Sequence, residues 1–204
     1  MAKPAHLVFP WNDDEPAWPE QGTWTYDDYA RLPEDGKRYE VIRGNLYVTP
    51  APFFDHQYIA GRLFRFLDVF GDESGLGFPL PAPFDILLPE GISTPVQPDI
   101  VFFLKGNQPR SGDKNFQGVP DLVVEVESPS TRKRDRTVKL DAYRDAGVSE
   151  YWRAAFHPRT VTVLSLSEDR TRYVESGRYG VGETIRSSIL PGLAVPVDEL
   201  FPPV

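Results

Sequence analysis

The segment Asp121–Glu127 constrains the fold more than any other part of the chain, because its alternation predicts a strand with two different faces. Side chains alternate across a strand, which gives one apolar face: Leu122, Val124 and Val126. The other face carries two carboxylates, Glu125 and Glu127. Like charges this close are unfavourable unless a positive group lies between them or water reaches them. We therefore expect the apolar face in the core and the acidic face either at an edge or against a cation.

The helix predicted after this strand, from Arg134 to Ala146 with Gly147 ending it, offers a positive partner. With steps of about 100° per residue, Lys139 lies in the middle of the apolar helix face, whose other members are Val138, Leu140, Ala142, Tyr143 and Ala146. Lysine is rarely buried without an anionic partner. The pattern predicts that Lys139 meets Glu125 or Glu127. That contact would belong to a functional site or to a structural salt bridge, unless the lysine stem extends to the edge of the buried face.

Turn residues and hydrophobic spacing predict the remaining elements. The helices are a short one that Thr25–Asp28 caps before Pro33, and an amphipathic one, Asp55–Phe70, that Gly71 ends. The strands are RYEVI and NLYVT around Arg43-Gly44, the proline-led segments PFDILLP, PDIVFF and PDLVVEVES, the hairpin of EYWRAAF and TVTVLSL, and RTRYVES. The proline-rich C-terminus predicts a loop-rich wrap. This order favours an α/β fold, with a mixed sheet and helices packed against it.

The composition suits one domain, since the chain has 204 residues, of which 40% are hydrophobic. We assign the domain to residues 23–204 and a proline-rich, acidic arm to residues 1–22. Trp11, Trp18 and Trp24 indicate that this arm packs on a partner, which favours a homo-oligomer such as a dimer. Cysteine is absent, which excludes disulfides and thiolate metal sites.

No apolar run approaches the roughly 20 residues that a membrane helix needs, and the N-terminus lacks a signal-peptide pattern. We expect no membrane partner and a cytoplasmic location. The net charge of -8 disfavours a nucleic-acid partner. Basic residues nevertheless cluster beside the acidic strand: Arg132, Lys133, Arg134, Arg136 and Lys139. This cluster fits a DNA-binding surface and, equally well, the solvated start of a helix.

A further acidic position is Asp99, at the start of an apolar strand. Asp99 and Glu125 on two strands, with Lys139 beside them, suit Mg²⁺ or Mn²⁺, because such cations take hard oxygen ligands and Mg²⁺ often uses only one or two carboxylates. Glu40 and His56 are candidates for the same place. Each has an ordinary structural explanation as well: a polar residue that begins a strand for Asp99, a paired strand carboxylate for Glu40, and a histidine near a helix start for His56.

Five segments follow one another along the chain: RYEVIRGNLYVTPAP, His56-Gln57, Gln97-Pro98-Asp99, PDLVVEVESPSTRKRD and KLDAYRDAGVSEYW. In this order they resemble the Uma-type endonucleases, a bacterial family with the restriction-endonuclease-like PD-(D/E)XK fold, from about residue 23 to residue 166. The resemblance implies a mixed-sheet core with an extra hairpin and a divalent-metal phosphodiesterase site. Asp99 and Glu125 would be its two acids and Lys139 its lysine. Glu40 and His56 also match characteristic positions of the family.

The chain departs from the family's pattern at two places. Members tend to have Asp-Pro after the EYW strand, where this chain has His157-Pro158, a position that we expect to be a turn and that leaves the fold assignment unchanged. Members of the superfamily usually carry lysine two residues after the second acid, where this chain has Glu127. Glu127 would either bind the metal as a third acid or repel the phosphate and inactivate the site. Three functions remain open: a DNA endonuclease, a non-catalytic module that binds nucleic acid or protein, and a phosphoesterase for a small molecule. The chain has no P-loop, Rossmann glycine pattern or Gly-x-Ser-x-Gly elbow.

Overall fold

A computed structural model describes residues 18–203. Its elements are, in chain order, α1 (Tyr26–Tyr29), β1 (Arg38–Ile42), β2 (Asn45–Thr49), α2 (Phe54–Ser74), β3 (Gly77–Pro81), β4 (Asp85–Leu87), β5 (Ile100–Leu104), β6 (Asn115–Gln117), β7 (Leu122–Glu127), α3 (Arg132–Asp135), α4 (Val138–Ala146), β8 (Glu150–Ala155), β9 (Thr160–Leu166), β10 (Tyr173–Gly180), β11 (Thr184–Ile185) and β12 (Val195–Pro196). Single 3-10 turns lie at Pro89–Gly91 and Val197–Glu199.

The main sheet has six strands in the order β10-β9-β8-β7-β5-β3. β7 and β8 are parallel, and the other neighbours are antiparallel. Parallel neighbours need a crossover connection, which α3 and α4 supply. This crossover places α4 against one face of β7, the strand that precedes α3 and α4 in the chain. The mixed sheet with flanking helices confirms the predicted fold class.

The sheet is buried on both faces around β7, all of whose residues are buried. Its predicted apolar face packs under α2 and the C-terminal wrap, whose buried side chains include Ile59, Leu63, Leu67, Leu190, Val195 and Leu200. The opposite face packs against α4 and the β1 region, with Val123, Ala142, Tyr143 and Ile42 in a second core. The acidic face of β7 is therefore not an exposed edge, so its carboxylates need partners inside the protein.

The predicted helix ends need two corrections. α2 continues past Gly71 to Ser74, and Gly75, with φ of 65°, is the residue that ends it. The predicted helix Arg134–Ala146 is two helices, α3 and α4. Thr137 separates them: its hydroxyl donates to the Lys133 carbonyl at 2.7 Å, a side-chain bond that competes with helix continuation.

Three strand assignments also change. β3 was not predicted because GFPLP contains glycine and two prolines, which a sheet tolerates at an edge such as this one. The predicted strand in PFDILLP is β4, which pairs with the unpredicted β6 in a separate two-stranded sheet. β10 begins at Tyr173, later than predicted, because Ser167–Arg172 form the turn after β9.

The tryptophans of the N-terminal segment pack on their own chain where they are described. Trp18 stacks on Trp24, with ring centroids 5.6 Å apart, and Arg31 lies over the Trp18 ring. Trp24 is buried beside β1 and β2. Most of the predicted arm, including Trp11, lies outside the described residues, and the dimer stays a prediction. No helix within residues 18–203 is long and apolar enough to cross a membrane.

We predict that Gly71→Ala destabilises the protein. A Cβ at Gly71 would lie 2.6 Å from the carbonyl oxygen of Gly77, so α2 and β3 would have to separate. Overpacking of this kind costs about 1–3 kcal/mol of the free energy of unfolding. Gly61→Ala is the matched control in the same helix, because nothing lies within 4 Å of its Cβ position. It should stabilise by up to about 1 kcal/mol. Urea unfolding measures both, and an equal gain in the two variants would contradict the close approach.

Candidate functional site

Lys139 connects two carboxylates from different parts of the fold. Its Nζ lies 2.7 Å from Oε1 of Glu125 on β7 and 2.8 Å from Oε1 of Glu40 on β1. All three side chains are buried, with at most 4% exposure. The Tyr143 hydroxyl, one helical turn after Lys139, donates to the same Glu125 oxygen at 2.6 Å. The predicted inward lysine is thus present, and its second partner is Glu40 where the sequence suggested Glu127.

Strand register brings Asp99 beside Glu125. Ile100 pairs with Val124 in the antiparallel β5–β7 ladder, so the residue before Ile100 lies opposite the residue after Val124. The Asp99 carboxylate accepts hydrogen bonds from Arg38 at 2.9 Å and from the backbone N–H of Val126 at 2.8 Å.

His56, at the start of α2, completes the surroundings of Asp99. Its Nε2 lies 3.0 Å from Oδ2 of Asp99. Glu40 is held in a similar way, because the backbone N–H of Gln97 donates to it at 2.9 Å. The structure therefore gathers the five candidates for catalysis that the sequence named: Glu40, His56, Asp99, Glu125 and Lys139.

A cavity of about 20 Å³ lies among these side chains, which is room for about one water molecule. Four acidic side chains line it: Glu40, Asp99, Glu125 and Asp135. The basic side chains that line it are Arg38, Arg134 and Lys139, besides His56. Carboxylates thus outnumber lysine and arginine in the cavity wall. Within residues 18–203, no three or more His, Cys, Asp or Glu side chains are arranged to hold a metal ion.

The two central carboxylates titrate in opposite directions. Burial raises the pKa of Glu125 to about 8, and the neighbouring Lys139 only partly offsets this. Burial would also raise the pKa of Asp99, but the hydrogen bond and charge of His56, together with Arg38, hold it well below its usual range. Burial would lower the pKa of Lys139, but Glu125 and Glu40 outweigh burial and raise it. Such divergent pKa values are typical of acid–base pairs in active sites.

Glu127 lies outside this cavity, which corrects the idea that it is the third acid of the site. Its carboxylate accepts two hydrogen bonds from Arg136, both at 2.7 Å, and Arg132 lies 3.4 Å away. Alternation fixes the face on which a strand residue lies, but it does not fix where a long side chain ends. The charge that was expected to repel a phosphate is compensated by two arginines.

The basic cluster is divided among several roles. Arg134 lies 3.4 Å from Glu40 and donates to Thr49 at 2.5 Å, so it belongs to the cavity wall. Arg132 and Arg136 pair with Glu127 but keep about half of their surface exposed. Lys133 is exposed. A DNA-binding role for these four residues stays a prediction, and Lys133 is the one best placed to meet a phosphate from solvent.

Asp135 is the cavity residue that sequence reasoning missed. It ends α3, is 1% exposed, and lines the same cavity as Asp99 and Glu125. Residues four apart share a helix face, so Arg134–Ala146 read as one continuous helix would also have placed Asp135 on the side of Lys139. The available signal was the aspartate within SPSTRKRD, close to an inward lysine.

A larger cavity of about 420 Å³ adjoins the first, and Arg38 and Asp99 line both. Its other walls are mostly apolar and come from α2, β3 and the loops beside them: Pro52, Ala60, Phe64, Pro81 and Pro83. The charged cavity is therefore reached from a wider space, and Arg38 stands where the two meet.

Residues 26–198 match the sequence profile of a family described as "Putative restriction endonuclease". The chain belongs to this family, Uma2. The match covers most of the chain and confirms the resemblance found in its segments. No curated protein matches the chain.

A solved structure with the same fold is the crystal structure of "a putative nuclease belonging to DUF820" from Anabaena variabilis ATCC 29413. The TM-score is 0.73, with 20% sequence identity over 87% of this chain and 97% of that one. At this identity the likeness shows the fold alone. Membership of the Uma2 family and the nuclease-like fold together support a nuclease.

We predict that Lys139→Met strongly destabilises the protein. The substitution would leave Glu40 and Glu125 buried without their shared cation, and breaking such a pair costs about 3–5 kcal/mol. Chemical unfolding in EDTA measures the loss. Lys133→Met is the control on the preceding helix, and this exposed site should change stability by no more than about 0.5 kcal/mol. Similar stabilities for the two variants would show that Lys139 is not the counter-ion of these carboxylates.

Proposed function

We propose that this Uma2 protein is a divalent-metal-dependent endonuclease that hydrolyses DNA phosphodiester bonds. One observation carries the proposal: Asp99 and Glu125 line one small cavity from adjacent strands, and Lys139 bonds Glu125 inside it. Two hard-oxygen acids and a lysine beside a solvent-connected space suit phosphoryl chemistry.

The donor set fits Mg²⁺ or Mn²⁺. Both hydrogen bonds to Glu125 fall on Oε1, and no described residue donates one to Oε2. Asp99 and Glu125 would hold the ion, which needs few protein ligands because waters and phosphate oxygens complete its octahedron. When bound, such an ion polarises a phosphoryl oxygen and lowers the pKa of a water ligand.

Lys139 would act as a hydrogen-bond donor and a fixed positive charge. Its raised pKa keeps it protonated at neutral pH, so it is not a base there. Glu40 positions it by accepting at 2.8 Å from the side opposite to Glu125. Charge that develops on the phosphate would then meet a preorganised ammonium group, and little reorganisation would be needed.

His56 would hold Asp99 in its anionic form, and Arg38 would bind the substrate phosphate at the entrance to the charged cavity. The contact from His56 keeps the Asp99 carboxylate ionised and oriented, as outer partners of metal-binding residues commonly do. Arg38 stands between the two cavities, where its guanidinium could meet a phosphate that enters from the larger one. Asp99 would thereby stay anionic while Arg38 attracts the substrate phosphate from the larger cavity towards it.

The choice of DNA over a small phosphoester rests on the family and on surface charge near the site. Lys133 and the exposed part of Arg132 lie on α3, next to the cavity wall, and the half-exposed Arg136 directly follows this helix. Such residues contact a phosphate backbone and make affinity depend on salt. The non-catalytic alternative depended on Glu127 spoiling the site, and the pairing of Glu127 with Arg136 removes that reason.

Plasmid cleavage in Mg²⁺ or Mn²⁺ tests this proposal. Asp99→Asn and Glu125→Gln should reduce cleavage to background, because each removes an anionic oxygen ligand. Glu127→Gln is the matched control, since it is the same change two residues along the same strand but outside the cavity. It should keep cleavage. Cleavage that persists in Asp99→Asn, or that is lost equally in Glu127→Gln, would contradict the assignment.

A further inference from the structure

Asp135 is buried in a way that its own neighbours do not explain. The residue is 1% exposed, and neither carboxylate oxygen has a hydrogen-bond partner of ordinary geometry within residues 18–203. The Thr131 hydroxyl, one turn earlier, is near enough to lower the pKa of Asp135, and its oxygen accepts a hydrogen bond from the Ser128 N–H. A buried carboxylate without such partners is costly, so its retention in the fold requires a reason.

The position of Asp135 is fixed by its surroundings. Tyr151 donates from its hydroxyl to the Asp135 main-chain carbonyl at 3.0 Å. The preceding residue, Arg134, is held by Thr49 and Glu40. These contacts hold the end of α3 in place, with the Asp135 carboxylate lining the cavity.

The carboxylates that line the cavity repel one another. Asp135 lies close enough to Glu125 to add to the electrostatic repulsion that Glu125 feels. The nearest basic groups, Lys139 and Arg134, are already bonded to other carboxylates. A water molecule would fit the volume and could donate hydrogen bonds, whereas a hydrated divalent cation would also attract the carboxylates.

We propose that Asp135 is an outer carboxylate of the cation site, accepting a hydrogen bond from one of the waters that the divalent cation carries. This inference rests on the metal-dependent site proposed above, and it adds a residue from α3 to the pair on β5 and β7. A third anionic oxygen raises the affinity for a divalent ion. It also gives α3 a role that does not depend on its basic residues.

The inference has a consequence for the metal-free protein. If Asp135 is present for a cation, then its charge is a burden when no cation is bound. Asp135→Asn should therefore leave the melting temperature in EDTA unchanged or raise it, while it weakens the binding of Mn²⁺. A residue that served only to hold the fold would behave in the opposite way.

The test is an EPR titration of Mn²⁺ against the full chain, with thermal unfolding in EDTA and in Mn²⁺ as a second readout. Asp135→Asn should raise the Kd for Mn²⁺ by at least about tenfold and reduce the rise in melting temperature that Mn²⁺ causes. Asp135→Ala, which has no side-chain oxygen, should do the same. Asp141→Asn is the matched control, since Asp141 is a half-exposed aspartate on α4 that pairs with Arg144. It should bind Mn²⁺ as the unchanged protein does.

Three results would overturn the inference. Tight Mn²⁺ binding by Asp135→Asn, with an unchanged Kd, would remove Asp135 from the site and leave the proposed nuclease standing. Loss of folding in EDTA by both Asp135 variants would show that the carboxylate supports the fold. Failure of the unchanged protein to bind Mn²⁺ would overturn both this inference and the proposed metal-dependent function.

Discussion

The buried contact of Lys139 with Glu125 and Glu40 is the interaction on which the rest of the site depends. It ties α4 to the centre of the sheet and to the β1–β2 hairpin, which lies outside that sheet. Ion pairs of this kind do not repay their desolvation unless further hydrogen bonds complete them. Tyr143 and the backbone of Gln97 supply those bonds here. The contact therefore fixes the place where Asp99 and Glu125, from neighbouring strands, face one cavity.

The cavity lowers the stability of the fold, because its wall buries four carboxylates, which outnumber its lysine and arginine side chains. Buried excess charge opposes folding, and proteins keep it mainly where function needs it. The opposite pKa directions of Glu125 and Asp99 follow from the same arrangement, since only Asp99 has both His56 and Arg38 beside it. One strand pair thus presents two carboxylates with different affinities for protons.

Local periodicity was enough to predict Lys139 and Glu125, at the centre of the site, but not the arrangement of the residues around them. Lys139 and Glu125 could be placed because each lies within one regular element, and the mixed sheet followed from the order of those elements. The β5–β7 register that sets Asp99 opposite Glu125 is a tertiary fact that no local pattern contains. Glu127 was misplaced because a salt bridge to Arg136 draws its carboxylate away from the cavity. Asp135 was overlooked, although its spacing of four residues from Lys139 puts both on one helix face. β3 was hidden by prolines that only an edge strand accepts.

The most direct measurement of the central claim is anomalous diffraction from a crystal soaked in Mn²⁺. Two carboxylates brought together by strand register, with a lysine held beside them, predict one strong anomalous peak in contact with Asp99 and Glu125. A peak at that place would show that the cavity exists to hold a divalent cation. Saturating Mn²⁺ with no peak there, or with peaks only at surface carboxylates, would contradict the account and leave the buried charges as a structural network.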